Sequence, residues 1–123
     1  MLKKETVNKD ILMPDGLCIP KMGQGTWKMG EDDNEYHREI DGLKHGMQIG
    51  LRLIDTAEAY ADGKSENIVG RAIGDFDREK IYITDKVHPD NANRQHIYSS
   101  MERSLKLLGT DYVDMYLLHW RGN

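Results

Sequence analysis

Four residues suited to proton chemistry follow apolar, β-like runs in this chain of 123 residues. Asp55 and Tyr60 lie in the stretch Leu53-Ile54-Asp55-Thr56-Ala57-Glu58-Ala59-Tyr60. Lys86 comes just after Ile81-Tyr82-Ile83-Thr84, and His119 after Val113-Asp114-Met115-Tyr116-Leu117-Leu118. A tyrosine hydroxyl, with an unperturbed pKa of about 10, is a poor acid near pH 7 and needs help to protonate a developing alkoxide. A lysine ammonium can supply that help. At about 4 Å and an effective dielectric of about 20, one positive charge is worth about 4 kcal/mol, or about three pKa units. A carboxylate such as Asp55 would keep the lysine charged in a partly dry cleft, and His119 could orient a carbonyl oxygen by hydrogen bonding. None of these groups delivers electrons, so carbonyl reduction here would need a nicotinamide as hydride source. Gly23-Gln24-Gly25-Thr26-Trp27-Lys28 lacks the third glycine of the dinucleotide fingerprint, which leaves the cofactor to be held by loops.

The elements needed to position these groups follow from periodicity. Residues 7–12 and 17–19 flank Pro14-Asp15-Gly16, a turn signal because proline sets one φ and glycine accepts a positive one. Together they predict an N-terminal β-hairpin. Tyr36, Ile40, Leu43 and Met47 recur at helical spacing and predict a helix over residues 33–50. Ile68, Val69, Ala72 and Ile73 predict a shorter helix closed by Gly74 as C-cap. A third helix is expected to start at Asn93 as N-cap, to put Ile97, Met101, Leu105 and Leu108 on one side as core, and to end at Gly109. Strands alternating with helices imply parallel pairing, since a parallel crossover needs a dozen or more residues. The expected strand ends fall near Trp27, Asp55, Lys86 and His119, at intervals of 28, 31 and 33 residues. Eight such units would take about 250 residues, the length of a TIM-type (β/α)₈ barrel, whose active sites sit at the C-terminal ends of the strands. The fold class is therefore α/β: a parallel (β/α) half-barrel of about four βα units behind the hairpin, read as a single domain over residues 1–123.

Bulk properties narrow the function. A net charge of -4 and a pI near 5.7, with basic residues scattered among acidic ones, offer no field for nucleic acid. No apolar run approaches the roughly 20 residues of a membrane span, and the mean hydropathy is -0.70. Met1-Leu2-Lys3-Lys4-Glu5 is not followed by an apolar segment, so no signal peptide is expected and the cytoplasm is the expected compartment. Cys18 is the single cysteine and fits a reducing environment. His37 and His45 lie eight apart, as do His88 and His96, and no spacing resembles a zinc site, so no metal is expected. These four histidines are expected in solvent, and Tyr36, Tyr82, Tyr98, Tyr112 and Tyr116 in packing. Glu66 reads as a first-turn helix acid.

Beyond periodicity, Gly23-Gln24-Gly25-Thr26-Trp27, the stretch from Leu53 to Tyr60, Ser65-Glu66-Asn67-Ile68-Val69-Gly70, Thr84-Asp85-Lys86-Val87, Ser104-Leu105-Lys106-Leu107-Leu108-Gly109 and Asp111-Tyr112 through His119-Trp120 jointly resemble the aldo-keto reductases. The likeness runs from about residue 7 to the last residue. Met29-Gly30-Glu31-Asp32 and Ala61-Asp62-Gly63 are similar to bacterial members that reduce small aldehydes such as methylglyoxal. The resemblance implies NADPH, reduction of small aldehydes and ketones with Tyr60 as general acid, Asp55 and Lys86 as its partners, and His119 as orienter. It further implies Gly25, Thr26, Trp27 and Asp55 near the nicotinamide, and Trp27, His119 and Trp120 around the substrate.

Two features depart from that pattern. The residue before the lysine is usually small or hydroxylated in the family, yet here it is Asp85. Alternation turns it away from Lys86 and toward the helices. There it is expected to cap a helix or meet a basic residue, the alternative being competition with Asp55 for Lys86. The chain also ends four residues after His119, so the expected domain is a partial barrel truncated after its fourth strand. The resemblance places most of the adenosine-phosphate site and the C-terminal substrate loop in the family's second half. Activity is accordingly expected to be weak or lost in the isolated chain. The alternative is a non-catalytic half-barrel that acts by self-association or by pairing with a complementary half, because open sheet edges invite strand pairing.

Overall fold

The structure is a computed structural model that describes residues 10–122. Within them the hairpin comprises β1 (Ile11–Leu12) and β2 (Cys18–Ile19), antiparallel with Ile11 opposite Ile19. The part of the expected hairpin at residues 7–9 lies outside the described residues. At the turn, Gly16 takes a φ of 88° and Asp15 Oδ1 accepts the Leu17 N–H at 3.0 Å.

Four strands then form one parallel sheet in chain order: β3 (Gly23–Gly25), β4 (Leu53–Asp55), β5 (Tyr82–Val87) and β6 (Met115–Leu118). The connecting helices are α1 (Tyr36–Gln48), α2 (Lys64–Ile73) and α3 (Ile97–Leu108). The half-barrel order expected from the apolar periodicities is thus the order observed. Gly25, Asp55, Thr84 and Met115 share one row across the sheet, with Lys86 and Leu117 one pleat further on the same face. Ile54, Ile83 and Asp85 face the opposite way, toward the helices.

The core lies between that outer face and the helices. Ile54 and Ile83 pack with Ile40, Leu43 and Met47 of α1, Ile68, Val69 and Ala72 of α2, and Leu108 of α3, all buried. Gly70 lets α2 approach α3 closely, since a Cβ there would stand 2.4 Å from the Leu107 carbonyl oxygen. Gln24 spans from β3 to the end of α1, donating to the carbonyls of Leu43 at 3.1 Å and Leu51 at 3.2 Å.

Gly74 and Gly109 are the C-caps of α2 and α3 as expected, Gly74 right-handed at φ -58° and Gly109 left-handed at φ 65°. Other local expectations are corrected. Residues 33–35 form a separate 3₁₀ turn ahead of α1, because Asp32 caps that turn through the Asn34 N–H. Asn93 does accept from the N–H groups of Gln95 and His96, yet α3 proper begins at Ile97. The buried ridge of α3 is Ser100, Ser104 and Leu108, while Ile97, Met101 and Leu105 flank it half-buried. Hydrophobicity alone misplaced that face, because the groups it meets are polar. Tyr98, expected in packing, is 79% exposed. No helix among the described residues is long and apolar enough to cross a membrane.

Candidate active site

The four residues singled out in the sequence come together at the C-terminal end of the sheet. Asp55 is the last residue of β4, Lys86 the penultimate residue of β5, and His119 directly follows β6. Tyr60 opens a 3₁₀ turn, Tyr60–Gly63, between β4 and α2. Lys86 Nζ donates to Asp55 Oδ2 at 2.9 Å and to the Thr56 carbonyl at 2.7 Å, and lies 4.9 Å from the centre of the Tyr60 ring. The Lys86 side chain is 13% exposed and that of Asp55 42%, so the ion pair sits at the rim of the sheet with its cationic end sheltered.

The His119 ring meets Tyr60 edge-on at 5.4 Å and Trp120 at 4.7 Å. Burial first, then the charges of Lys86 and His88, lower the pKa of His119 from its ordinary value. A cation already beside the ring disfavours a second charge. Its Nδ1 is buried without a hydrogen-bond partner among the described residues, which leaves Nε2 as the nitrogen able to meet a carbonyl oxygen.

The turn after Tyr60 is built from three successive left-handed residues, Ala61 at φ 48°, Asp62 at φ 51° and Gly63 at φ 89°. Ala61 has no side-chain means of favouring that region, so the conformation depends on outside support. Arg103 of α3 supplies part of it, donating to the Asp62 carbonyl at 2.9 Å.

The remaining expected positions sit beside this group. Gly25 ends β3 with open space where a Cβ would be, and Trp27 is 70% exposed with Lys28 Nζ 5.0 Å from its ring. Thr26 is buried, and its N–H and hydroxyl both donate to the Asp55 carbonyl, at 3.1 and 3.0 Å. Its direct work is therefore to hold the Asp55 backbone. Trp120 is 47% exposed and packs between His119 and His88.

These features match a known family. The aldo/keto reductase family model covers residues 21–122. This chain belongs to the aldo/keto reductase family. It is 47% identical over 115 residues to methylglyoxal reductase YeaE of Escherichia coli, an alignment covering 94% of the chain and 40% of that protein. It is 43% identical over 107 residues to aldehyde reductase YPR1 of Saccharomyces cerevisiae, covering 85% and 31%. A Klebsiella pneumoniae aldo-keto reductase solved in complex with NADPH superposes with a TM-score of 0.86 at 43% identity, over 95% of this chain and 41% of that one. The chain thus spans 40% or less of the length of these curated relatives.

Against this background, three features escaped the sequence reading. His88, expected in solvent, is half-buried against Trp120 and accepts the Asp90 N–H through Nδ1 at 3.1 Å. Glu58 is buried, and its Oε1 accepts from the His88 N–H and the Asn91 amide. Neither contact leaves a spacing signal, since both join separate loops. The third is Asp85, which meets neither a base nor a helix terminus and does not compete for Lys86. It is wholly buried on the outer face against Glu66, and its Oδ1 accepts the Lys86 backbone N–H at 2.9 Å. Glu66 occupies the first turn of α2 as expected, but is also wholly buried.

Proposed function

We propose that this chain carries the proton-donating part of an NADPH-dependent carbonyl reductase acting on small aldehydes and ketones, as the first four βα units of a barrel domain. The observation that carries the reading is the convergence of Asp55, Lys86, Tyr60 and His119, with the ammonium hydrogen-bonded to the carboxylate and facing the phenol ring. Likeness to a methylglyoxal reductase and to a reductase crystallised with NADPH supports the substrate class and the cofactor.

The residues present suit the nicotinamide end of the cofactor. Open space over Gly25, the exposed face of Trp27 and the accessible Asp55 carboxylate form a ledge at the ends of β3 and β4. NADPH, when bound, would supply the hydride. The chain's own residues handle the oxygen. His119, kept neutral, offers an imidazole N–H to orient the carbonyl. Tyr60 gives its proton to that oxygen as charge develops, and the phenolate left behind faces the Lys86 ammonium. Asp55 and the Thr56 carbonyl hold that ammonium in place. Trp27 and Trp120 would flank the substrate.

Titration with NADPH, read by quenching of Trp27 and Trp120, should saturate. Methylglyoxal turnover should fall at least about 10²-fold in Tyr60→Phe, the usual contribution of a general acid. Turnover indifferent to Tyr60→Phe would refute the assignment. A second reading, a non-catalytic half-barrel acting by association with itself or a complementary half, is favoured by one specific observation. Met115 and Leu117, on the inner face of β6, are 37% and 41% exposed at an open sheet edge. Under that reading, light scattering shows a mass above the monomer while NADPH gives no quenching.

A further inference from the structure

Behind Lys86, on the opposite face of β5, two carboxyl groups are buried together. Glu66 of α2 and Asp85 of β5 both have no solvent exposure. Asp85 Oδ1 is satisfied by the Lys86 N–H, but among the described residues Asp85 Oδ2 and both carboxyl oxygens of Glu66 have no donor. The Ser104 hydroxyl, also wholly buried, is directed at the pair from α3 and is itself unpartnered. The Tyr116 hydroxyl, on the β6 residue opposite Asp85, is likewise buried and unpartnered. Glu58 adds negative charge from the β4–α2 connection. Among the described residues the cation acting on the pair is Lys86, which points its ammonium to the other side of the sheet.

Two facing carboxylates in such a place would each lack a donor and repel the other. A single proton removes both defects, because a protonated carboxyl becomes a donor to its neighbour. We propose that Glu66 and Asp85 share one proton, Glu66 as the donor and Asp85 as the carboxylate, and that this acid pair is a positioning device holding the Lys86 backbone. The assignment of roles follows from the contacts: Asp85 already accepts an N–H, whereas Glu66 accepts none. Burial, then the facing Asp85, push the Glu66 carboxyl up to about 9, in keeping with a proton retained at neutral pH. Loss of that proton would set two charges against each other directly beneath the residue that carries Lys86. The shared proton stands apart from the reductase reading; its service to a proton-relay lysine rests on it.

The test is carboxyl ¹³C NMR of the wild-type chain, with the Lys86 amide proton followed in the same titration. Glu66 should remain protonated at pH 7 and titrate far above its ordinary value of 4.5, and the Lys86 amide should shift with the same midpoint. Unfolding gives a second readout. A proton kept by the folded state and lost by the unfolded one makes the unfolding constant rise about tenfold per pH unit between the two pKa values. That rise should be absent in Glu66→Gln, which keeps an N–H donor but has nothing to titrate. Titration of Glu66 in the ordinary carboxylate range, a midpoint that moves on adding a chelator, a Lys86 amide indifferent to it, or an unchanged slope in Glu66→Gln would each overturn the proposal. If Glu66→Gln fails to fold, the wild-type titration still decides. Absence of NADPH binding would count against the reductase reading and leave these midpoints untouched.

Discussion

Lys86 is constrained from both faces of its strand. Its ammonium is tied to Asp55 and the Thr56 carbonyl on the inner face, and its backbone N–H to Asp85 on the outer. A lysine with four rotatable carbons loses much entropy when fixed, and these contacts offset that cost. His119 depends on the same charge. Because burial and Lys86 lower its pKa, the folded state binds fewer protons than the unfolded one as pH drops below about 6.5. Its share of stability is therefore present above that pH and declines as the pH falls toward the folded value. An NMR titration of the imidazole should give a midpoint below that of a free histidine, moving upward in Lys86→Met. A midpoint at or above the ordinary value would show that the ring does not sense the ammonium.

At the scale of elements, two joints hold the site together from a distance. Arg78 clamps the base of β5 to β6: it donates to Thr110 Oγ1 at 2.9 Å, the Ile81 carbonyl at 2.6 Å, the Tyr112 carbonyl at 2.9 Å and Asp114 Oδ2 at 3.0 Å. Its guanidinium also stacks 3.9 Å from the Tyr112 ring, and Asp114 Oδ2 in turn accepts the Ile83 N–H at 2.8 Å. A lysine cannot reproduce that planar fork. Arg78→Lys should cost about 2 kcal/mol, an amount suited to charge-assisted bonds in a partly buried network, measured by urea denaturation. Gly70 is the second joint. Gly70→Ala would press a methyl onto the backbone of residues 107–108 and force α2 from α3; about 1 to 3 kcal/mol is expected to be lost, typical of overpacking. Alanine's better helix propensity, about 1 kcal/mol, works against this, so a stabilised variant would show that the helices yield easily. The sequence made α1 and α2 legible because their buried faces are aliphatic. It made α3 legible as a helix but not its buried ridge of Ser100, Ser104 and Leu108, where Ser104 meets Glu66 and Asp85 and Leu108 joins the aliphatic core.

Across the whole molecule, order should decline from the centre of the sheet outward. β5 pairs on both sides and its Ile83 is wholly buried, whereas β3 and β6 each have a free side among the described residues. Hydrogen exchange should be slowest at β5 and fastest at β3 and β6. If the exposed Leu117 and Leu118 mediate association, β6 protection should grow with protein concentration, and Leu117→Lys should abolish that growth; concentration-independent exchange would oppose association. By itself the sequence determined the alternation of strand and helix, the strand ends that bear Asp55, Lys86 and His119, and the family. Those depend on local periodicity and on residue types at short spacing. It also told that Asp85 must turn away from Lys86, since strand alternation is local. What Asp85 meets was decided only by tertiary structure, because Glu66, Ser104 and Tyr116 arrive there from two helices and a neighbouring strand. Whether two carboxyls repel or share a proton depends on their distance and on the exclusion of water, and neither exists until the chain has folded.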